Sequence, residues 1–172
     1  MFTKEGFEIV SGGSALVIGS IAAWTDWRTG TIPNRLTVSG MVAGLAASGL
    51  HGGGMGLCLS LASAFGSALV PLFLFRFGAM GGGDVKLFAA LGAILGLSSA
   101  LEMQFLSFVL LALAGCVVLA KRGIFIKQMR AATLWMNPFS QATFQPSEAV
   151  FMRFGPIIFS AVAITLLLKH LR

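Results

Sequence analysis

The chain has 172 residues, of which 56% are hydrophobic and only 10% are charged. Its mean hydropathy is +0.90, whereas ordinary globular domains carry about 25% charged residues, so the composition excludes a soluble domain and an intrinsically disordered chain. Long unbroken apolar runs also argue against the alternating strands of a membrane β-barrel. The remaining class is an all-α, polytopic membrane protein.

The excess of 12 Lys and Arg over 6 Asp and Glu gives a formal net charge of +6. Membrane proteins collect basic residues in cytoplasmic loops, and no dense basic run here is interleaved with aromatic residues, so we expect no nucleic-acid partner. The two cysteines, Cys58 and Cys116, lie far apart in apolar runs. They form no metal or redox motif, and we expect both to be small core residues.

Six apolar segments approach the length of about 20 residues that crosses the hydrocarbon core of a bilayer. In chain order they are Phe7–Thr25, Ile32–Leu50, Met55–Phe75, Val85–Ala100, Met103–Ala120 and Phe154–Leu168. Their frequent glycines suit the close helix packing of membrane proteins. The sequence therefore predicts a single domain over residues 1–172, a bundle of about six transmembrane helices in the lipid bilayer.

The basic residues predict the orientation of this bundle, because Lys and Arg concentrate in cytoplasmic loops. One set of connections holds nine of them and the other side holds three. The nine are Arg28, Arg35, Arg76, Lys86, Lys121, Arg122, Lys127, Arg130 and Arg153. We therefore expect both termini to lie outside the cytoplasm, with the basic connections inside.

The longest connection runs from Lys121 to about Arg153. Its stretch Gly123–Trp135 mixes apolar side chains with Lys127 and Arg130, a composition typical of a helix that lies in the membrane interface. A basic loop that only obeys the charge rule explains the same residues.

The chain contains only two aspartates, Asp26 and Asp84, and both fall in predicted cytoplasmic connections at helix ends. Ionisable groups near membrane depth are costly and point to function. Each aspartate also has a structural explanation, because Asp84 could cap the following helix and Asp26 could pair with Arg28 or Arg35. Together they could share a proton, as the carboxylate pair of an aspartic protease does.

The residues needed for metal catalysis or for a Ser or Cys nucleophile are not placed beside the aspartates. Both histidines, His51 and His170, are assigned to the outer side, so we expect no metal site and no cofactor, and neither Ser nor Cys has a histidine beside it as a base. The carboxylates of Glu5, Glu8 and Glu102 are likewise on the outer side. Glu148 falls in the long connection.

Two segments surround the aspartates. The first is Asp26-Trp27-Arg28-Thr29-Gly30-Thr31-Ile32-Pro33-Asn34, and the second is Gly81-Gly82-Gly83-Asp84-Val85-Lys86. The first resembles the D-x-[RK]-x-x-x-I-P-N segment of the aspartic prepilin peptidases, and the second resembles their GxGD-x-K segment. Both occur in the order and on the predicted side that this family requires.

The resemblance implies a membrane-embedded aspartic endopeptidase of the bacterial inner membrane, which removes the leader from prepilins or pseudopilins at the cytoplasmic face. Asp26 and Asp84 would be the catalytic pair. The chain lacks the CxxC-bearing region of larger bifunctional members, so it is similar to the peptidase-only form of tight-adherence (Flp) pilus systems, and no methyltransferase activity is expected. Archaeal preflagellin peptidases share the same aspartate arrangement.

The motifs also supply supporting or substrate-positioning candidates. Pro33 and Asn34 would fix the chain where it returns to the membrane, with Pro33 starting a helix. Gly81 and Gly83 would allow backbone conformations that a Cβ forbids. The remaining two candidates, Arg28 and Lys86, lie two residues beyond the aspartates, where they could orient the substrate or serve only as topology charges.

Helix ends predict which aspartate holds a shared proton. Asp84 lies at a helix start, where the dipole favours an anion, and Asp26 lies at a helix end, where it does not. On this basis the proton is expected on Asp26, which leaves Asp84 as the base.

Two other functions fit a small polytopic membrane protein. An ion- or proton-coupled transporter would place its aspartates near the midplane, between related halves of the sequence, and we find no such repeat. A non-enzymatic subunit of a pilus or secretion assembly would tolerate the loss of either aspartate.

The charge distribution makes a testable prediction of topology. A reporter that is active only outside the cytoplasm should be active when fused at Gly53 or at the C-terminus. The same reporter fused at Gln145 should be inactive. A cytoplasmic C-terminus would require one span more or one span fewer.

Overall fold

The computed structural model describes residues 4–123 and 153–171, and these residues form five α-helices. They are α1 (Lys4–Thr29), α2 (Asn34–Arg76), α3 (Gly82–Leu95), α4 (Leu97–Lys121) and α5 (Gly155–His170). The predicted all-helical class agrees with this part of the chain. Most of the long basic connection, including the amphipathic stretch proposed within Gly123–Trp135, lies outside the described residues.

The chain divides into two compact units. Of the described residues, 4–108 and 153–171 belong to the first unit and 109–123 to the second. The second contributes the last part of α4. The packing and the site described below belong to the first unit alone.

Helix α2 consists of two arms that meet at Gly53, whose φ of 61° and ψ of −147° are not helical. A positive φ favours glycine, which lacks the Cβ that would clash there. Gly44 from the first arm and Ser60 from the second both lie against Ala93 of α3, so the chain reverses between them. Residues 34–52 and 54–76 therefore form a helical hairpin where the sequence predicts two spans.

Within residues 4–123 and 153–171, three helices are long and apolar enough to cross a membrane, namely α1 over Gly6–Thr29, α2 and α4. Helix α5 is a shorter apolar helix. Large apolar side chains cover much of the outer surface, and Ile9, Phe65 and Phe105 are each more than 70% exposed. Such a surface suits lipid rather than water. The total of about six spans remains a prediction.

The cysteines do not lie in the core. Cys58 and Cys116 are both exposed, so the expectation of two core residues is wrong. In a lipid-facing helix an apolar run indicates contact with the bilayer as readily as burial in protein.

Helix α3 forms the centre of the first unit. Leu87, Phe88 and Leu91 are completely buried, because neighbours cover α3 on several sides. Ser60 and Ser67 of the second α2 arm donate hydroxyl hydrogen bonds to the α3 carbonyls of Ala93 (2.8 Å) and Phe88 (3.0 Å). Interhelical hydrogen bonds of this kind help hold membrane helices together.

Helices α1 and α5 run antiparallel to each other. A Cβ at Gly19 would lie 3.4 Å from the ring of Phe159, and Glu8 at the start of α1 forms an exposed ion pair of 3.2 Å with Lys169 at the end of α5. The C-terminal end of α1 therefore lies beside the N-terminal end of α5.

Glycine packing between α2 and α3 gives a prediction about stability. A Cβ at Gly44 would lie 2.8 Å from the Ala93 carbonyl carbon and 2.9 Å from the Ile94 nitrogen. Because backbone cannot move aside as a side chain can, Gly44→Ala should lower the free energy of unfolding by about 1–3 kcal/mol. Thermal unfolding in detergent measures the effect. Gly13→Ala is the control, because a Cβ there meets nothing within 4 Å, and equal melting temperatures for the two variants would contradict the prediction.

Candidate active site

Asp26 lies in the last turns of α1, which ends at Thr29. The main-chain carbonyl of Asp26 accepts a hydrogen bond from the Gly30 N–H (2.9 Å) and another from the Arg153 guanidinium (3.0 Å). Gly30 has a φ of 69°, the left-handed conformation with which glycine ends many helices. The end of α1 is thus fixed around the aspartate.

The Asp26 side chain is only 7% exposed. Its Oδ2 accepts a hydrogen bond of 2.8 Å from the backbone N–H of Gly155, the first residue of α5. A buried carboxylate needs such donors, because burial removes the water that would otherwise solvate its charge. The start of α5 supplies that donor.

Asp84 lies in the first turn of the central helix α3, one residue before the predicted span that begins at Val85. The N-cap residue of α3 is Gly81, so the suggestion that Asp84 itself caps the helix is wrong. Asp84 occupies the third helical position, and its carboxylate accepts a hydrogen bond from the Gly81 N–H, as the acidic residue of a capping box does.

The two aspartates are close enough for their charges to interact. Burial raises the pKa of the Asp84 carboxyl to about 6, the charge of Asp26 contributes to that rise, and the Gly81 hydrogen bond opposes it. Two carboxylates that share a site tend to hold one proton between them. The arrangement therefore has the elements of an acid and a base that could activate a water molecule.

The start of α5 is a third helix end beside the two aspartates. Helix ends alone predict the proton on Asp26, but that argument leaves out the start of α5. The Gly155 N–H points at the Asp26 carboxylate and stabilises its negative charge, whereas Asp84 is the group whose pKa is raised.

Two contacts join the segments that carry the aspartates. The Lys86 ammonium donates a hydrogen bond of 2.8 Å to the Asn34 side-chain carbonyl, and Gly83 is so close to Ile32 that a Cβ would lie 3.2 Å from the Ile32 Cβ. Pro33 is the N-cap residue of α2, so the helix begins at Asn34, one residue later than predicted. The start of α3 is thereby attached to the start of α2.

The two glycines before Asp84 do not serve the role expected of them. Gly81 has a φ of −76° and a ψ of 146°, an extended conformation open to any residue, and Gly83 is helical. They provide space instead, because a Cβ at Gly81 would lie 3.0 Å from Asp84 Oδ2 and one at Gly83 would press on Ile32.

Arg28 does not lie against the Asp26 carboxylate. Its guanidinium lies over the ring of Trp24 at 4.5 Å from the centroid, a cation–π contact near the surface. The partner of Arg28 is therefore an aromatic side chain of its own helix, α1.

Sequence reasoning missed Arg153 and Gly155. Arg153 counted only as a topology charge, and Gly155 lay inside the last predicted span. The available signal was the run Arg153-Phe154-Gly155-Pro156, because proline in the first turn marks a helix start. The approach of that start to Asp26 depends on the tertiary packing of α5.

Within the part of the chain that the structure describes, no three His, Cys, Asp or Glu side chains are grouped as a metal site would require.

Comparison with known proteins identifies the family. The model of the type IV leader peptidase family matches residues 14–116, a range that includes both aspartates and the two segments around them. A search of the curated proteins gave no match, and a search of the solved structures gave none either. The matched range and the apolar helices together place this integral membrane protein in the type IV leader peptidase family.

Proposed function

We propose that the protein is an aspartic endopeptidase that removes the leader peptide from type IV prepilins of the Flp class, with Asp26 and Asp84 as its catalytic pair. The observation that carries the proposal is that the two residues lie close enough for their charges to interact. They are the only aspartates in the sequence, they come from different helices, and the charge of one acts on the other.

The contacts of each carboxyl group suggest its role. Ionised Asp26 accepts a proton from the attacking water, and the water oxygen bonds to the scissile carbonyl carbon. Asp84 reacts in its protonated form, which a pKa of about 6 keeps accessible near neutral pH, and donates its proton to the carbonyl oxygen as that oxygen gains negative charge. When the tetrahedral intermediate collapses, the proton held by Asp26 passes to the leaving amine as the C–N bond breaks. One hydroxyl of the intermediate returns its proton to Asp84, so both aspartates regain their starting states and water has been added across the peptide bond.

The remaining motif residues would position the pair. The Lys86–Asn34 hydrogen bond and the contact of Gly83 with Ile32 hold the start of α3 against the chain that follows Asp26. An error of about 1 Å in such an arrangement can cost about 100-fold in rate. Pro33 and Gly81 support the same region through the helix starts that they cap.

The substrate and the location follow from the family and from the charge count. A leader peptidase of this family acts on prepilins, and absence of the CxxC region favours cleavage without methylation of the new N-terminus. We propose that the site faces the cytoplasm from the bacterial inner membrane and that both termini lie outside.

Asp26→Asn and Asp84→Asn should each abolish cleavage, by more than about 100-fold, because the reaction needs one ionised and one protonated carboxyl group. The measurement is leader removal from a co-expressed Flp-type prepilin, read as a gel shift, with the enzyme quantified in the membrane. Glu102→Gln, which changes an exposed carboxylate on α4, is the control and should cleave normally. Normal cleavage by either aspartate variant would rule out the aspartic mechanism.

The raised pKa of Asp84 predicts a dependence of stability on pH. A carboxyl whose pKa is 3.8 in the unfolded chain and about 6 in the fold contributes nothing below about pH 4, and it destabilises the fold increasingly up to about pH 6. Asp84→Asn removes this charge, so it should raise the free energy of unfolding at pH 7.5 by about 1–3 kcal/mol.

The gain in stability from Asp84→Asn should disappear near pH 4, where the wild-type carboxyl is already protonated. Thermal unfolding of wild type and Asp84→Asn in detergent between pH 4 and pH 7.5 tests this prediction without any activity measurement. A gain in melting temperature that is the same at pH 4 and pH 7.5 would mean that burial of the Asp84 charge is not its cause.

A further inference from the structure

The turn before α5 lies outside the range that the family model matches, yet it makes two polar contacts to Asp26. The Gly155 N–H donates to the Asp26 carboxylate at 2.8 Å, and the Arg153 guanidinium donates to the main-chain carbonyl of the same residue at 3.0 Å. The Arg153 guanidinium also lies 5.8 Å from the ring centroid of Trp27, which is next to Asp26 in the sequence. One turn therefore contacts both the side chain and the backbone of Asp26.

The backbone of α5 explains why Gly155 is the donor. The first N–H groups of a helix have no partner within it. Here Pro156 has no N–H, and the N–H groups of Ile157 and Ile158 both bond to the Phe154 carbonyl at 3.0 Å. Gly155 is left with an N–H directed out of the helix, and the Asp26 carboxylate receives it. Asp26 thus does for α5 what an N-cap side chain does for its own helix.

The same position excludes any side chain. A Cβ at Gly155 would lie 2.7 Å from Asp26 Cβ, 3.0 Å from Asp26 Oδ2 and 3.2 Å from the Ala22 carbonyl oxygen. Farther along the same pair of helices, a Cβ at Gly19 would make an ordinary contact of 3.4 Å with Phe159. Of the glycines between these two helices, Gly155 therefore has the closest neighbours, and they belong to Asp26.

We propose that the turn Arg153-Phe154-Gly155 is a positioning element of the active site, which holds the Asp26 carboxylate in place for the reaction. This inference rests on the proposed function of Asp26. It assigns a role in the reaction to the start of the last helix, through Gly155 acting on the carboxylate and Arg153 acting on the backbone. Neither residue touches the substrate in this role.

The test compares kcat and KM of purified enzyme in detergent on a Flp-type prepilin. Gly155→Ala should lower kcat by about 10–100-fold, because it displaces the carboxylate, and should change KM by less than about twofold. Gly19→Ala is the matched control at the same helix pair and should keep both constants within about twofold of wild type. Wild-type kcat for Gly155→Ala would overturn the proposal.

Variants of Arg153 give a second test of the proposal, which decides it if Gly155→Ala does not accumulate in the membrane. Arg153→Gln should lower kcat about tenfold, and Arg153→Lys should restore most of it, because an ammonium can also donate to the Asp26 carbonyl. Equal kcat for Arg153→Gln and wild type would overturn the proposal on this arm.

The Asp26→Asn variant separates failure of this inference from failure of the proposed function. If Asp26→Asn is inactive while Gly155→Ala and Arg153→Gln cleave normally, Asp26 is catalytic but the turn does not position it. If Asp26→Asn cleaves normally, the aspartic mechanism and this inference both fail.

Discussion

A buried negative charge organises this end of the first unit. Asp26 is 7% exposed, and a carboxylate removed from water is tolerated only where hydrogen-bond donors replace the lost solvation. The Gly155 N–H provides one donor, and the Arg153 guanidinium and the Gly30 N–H fix the carbonyl of the same residue. The end of α1 and the beginning of α5 are therefore held together by the requirements of one side chain.

The second aspartate is held differently. Asp84 belongs to α3, whose apolar side chains are buried by its neighbours, and the α2 hairpin anchors α3 through the hydroxyls of Ser60 and Ser67. One carboxyl group is thus delivered by a central helix held on several sides, and the other by two peripheral helix ends. Burial raises the pKa of the Asp84 carboxyl, and the nearby charge of Asp26 adds to that rise.

Sequence alone predicted the helical class and the family, because composition and local motifs are properties of short segments. It also predicted a helix starting near Pro33, within one residue. It could not predict that Gly155 approaches Asp26, because that contact joins residues far apart in the chain and depends on how α5 packs. Motif glycines were expected to bend the backbone, whereas Gly81 and Gly83 make room for neighbours.

The contact between α1 and α5 has a consequence for biosynthesis. The donor for Asp26 belongs to a helix that the ribosome completes only after α1, α2, α3 and α4 have been made. Until that helix enters the membrane and packs along α1, the carboxylate lacks its Gly155 partner, although both aspartates have already been synthesised. The geometry described here is consequently a late product of folding, and a chain interrupted before α5 would contain the complete pair of aspartates without the partner that holds one of them in place.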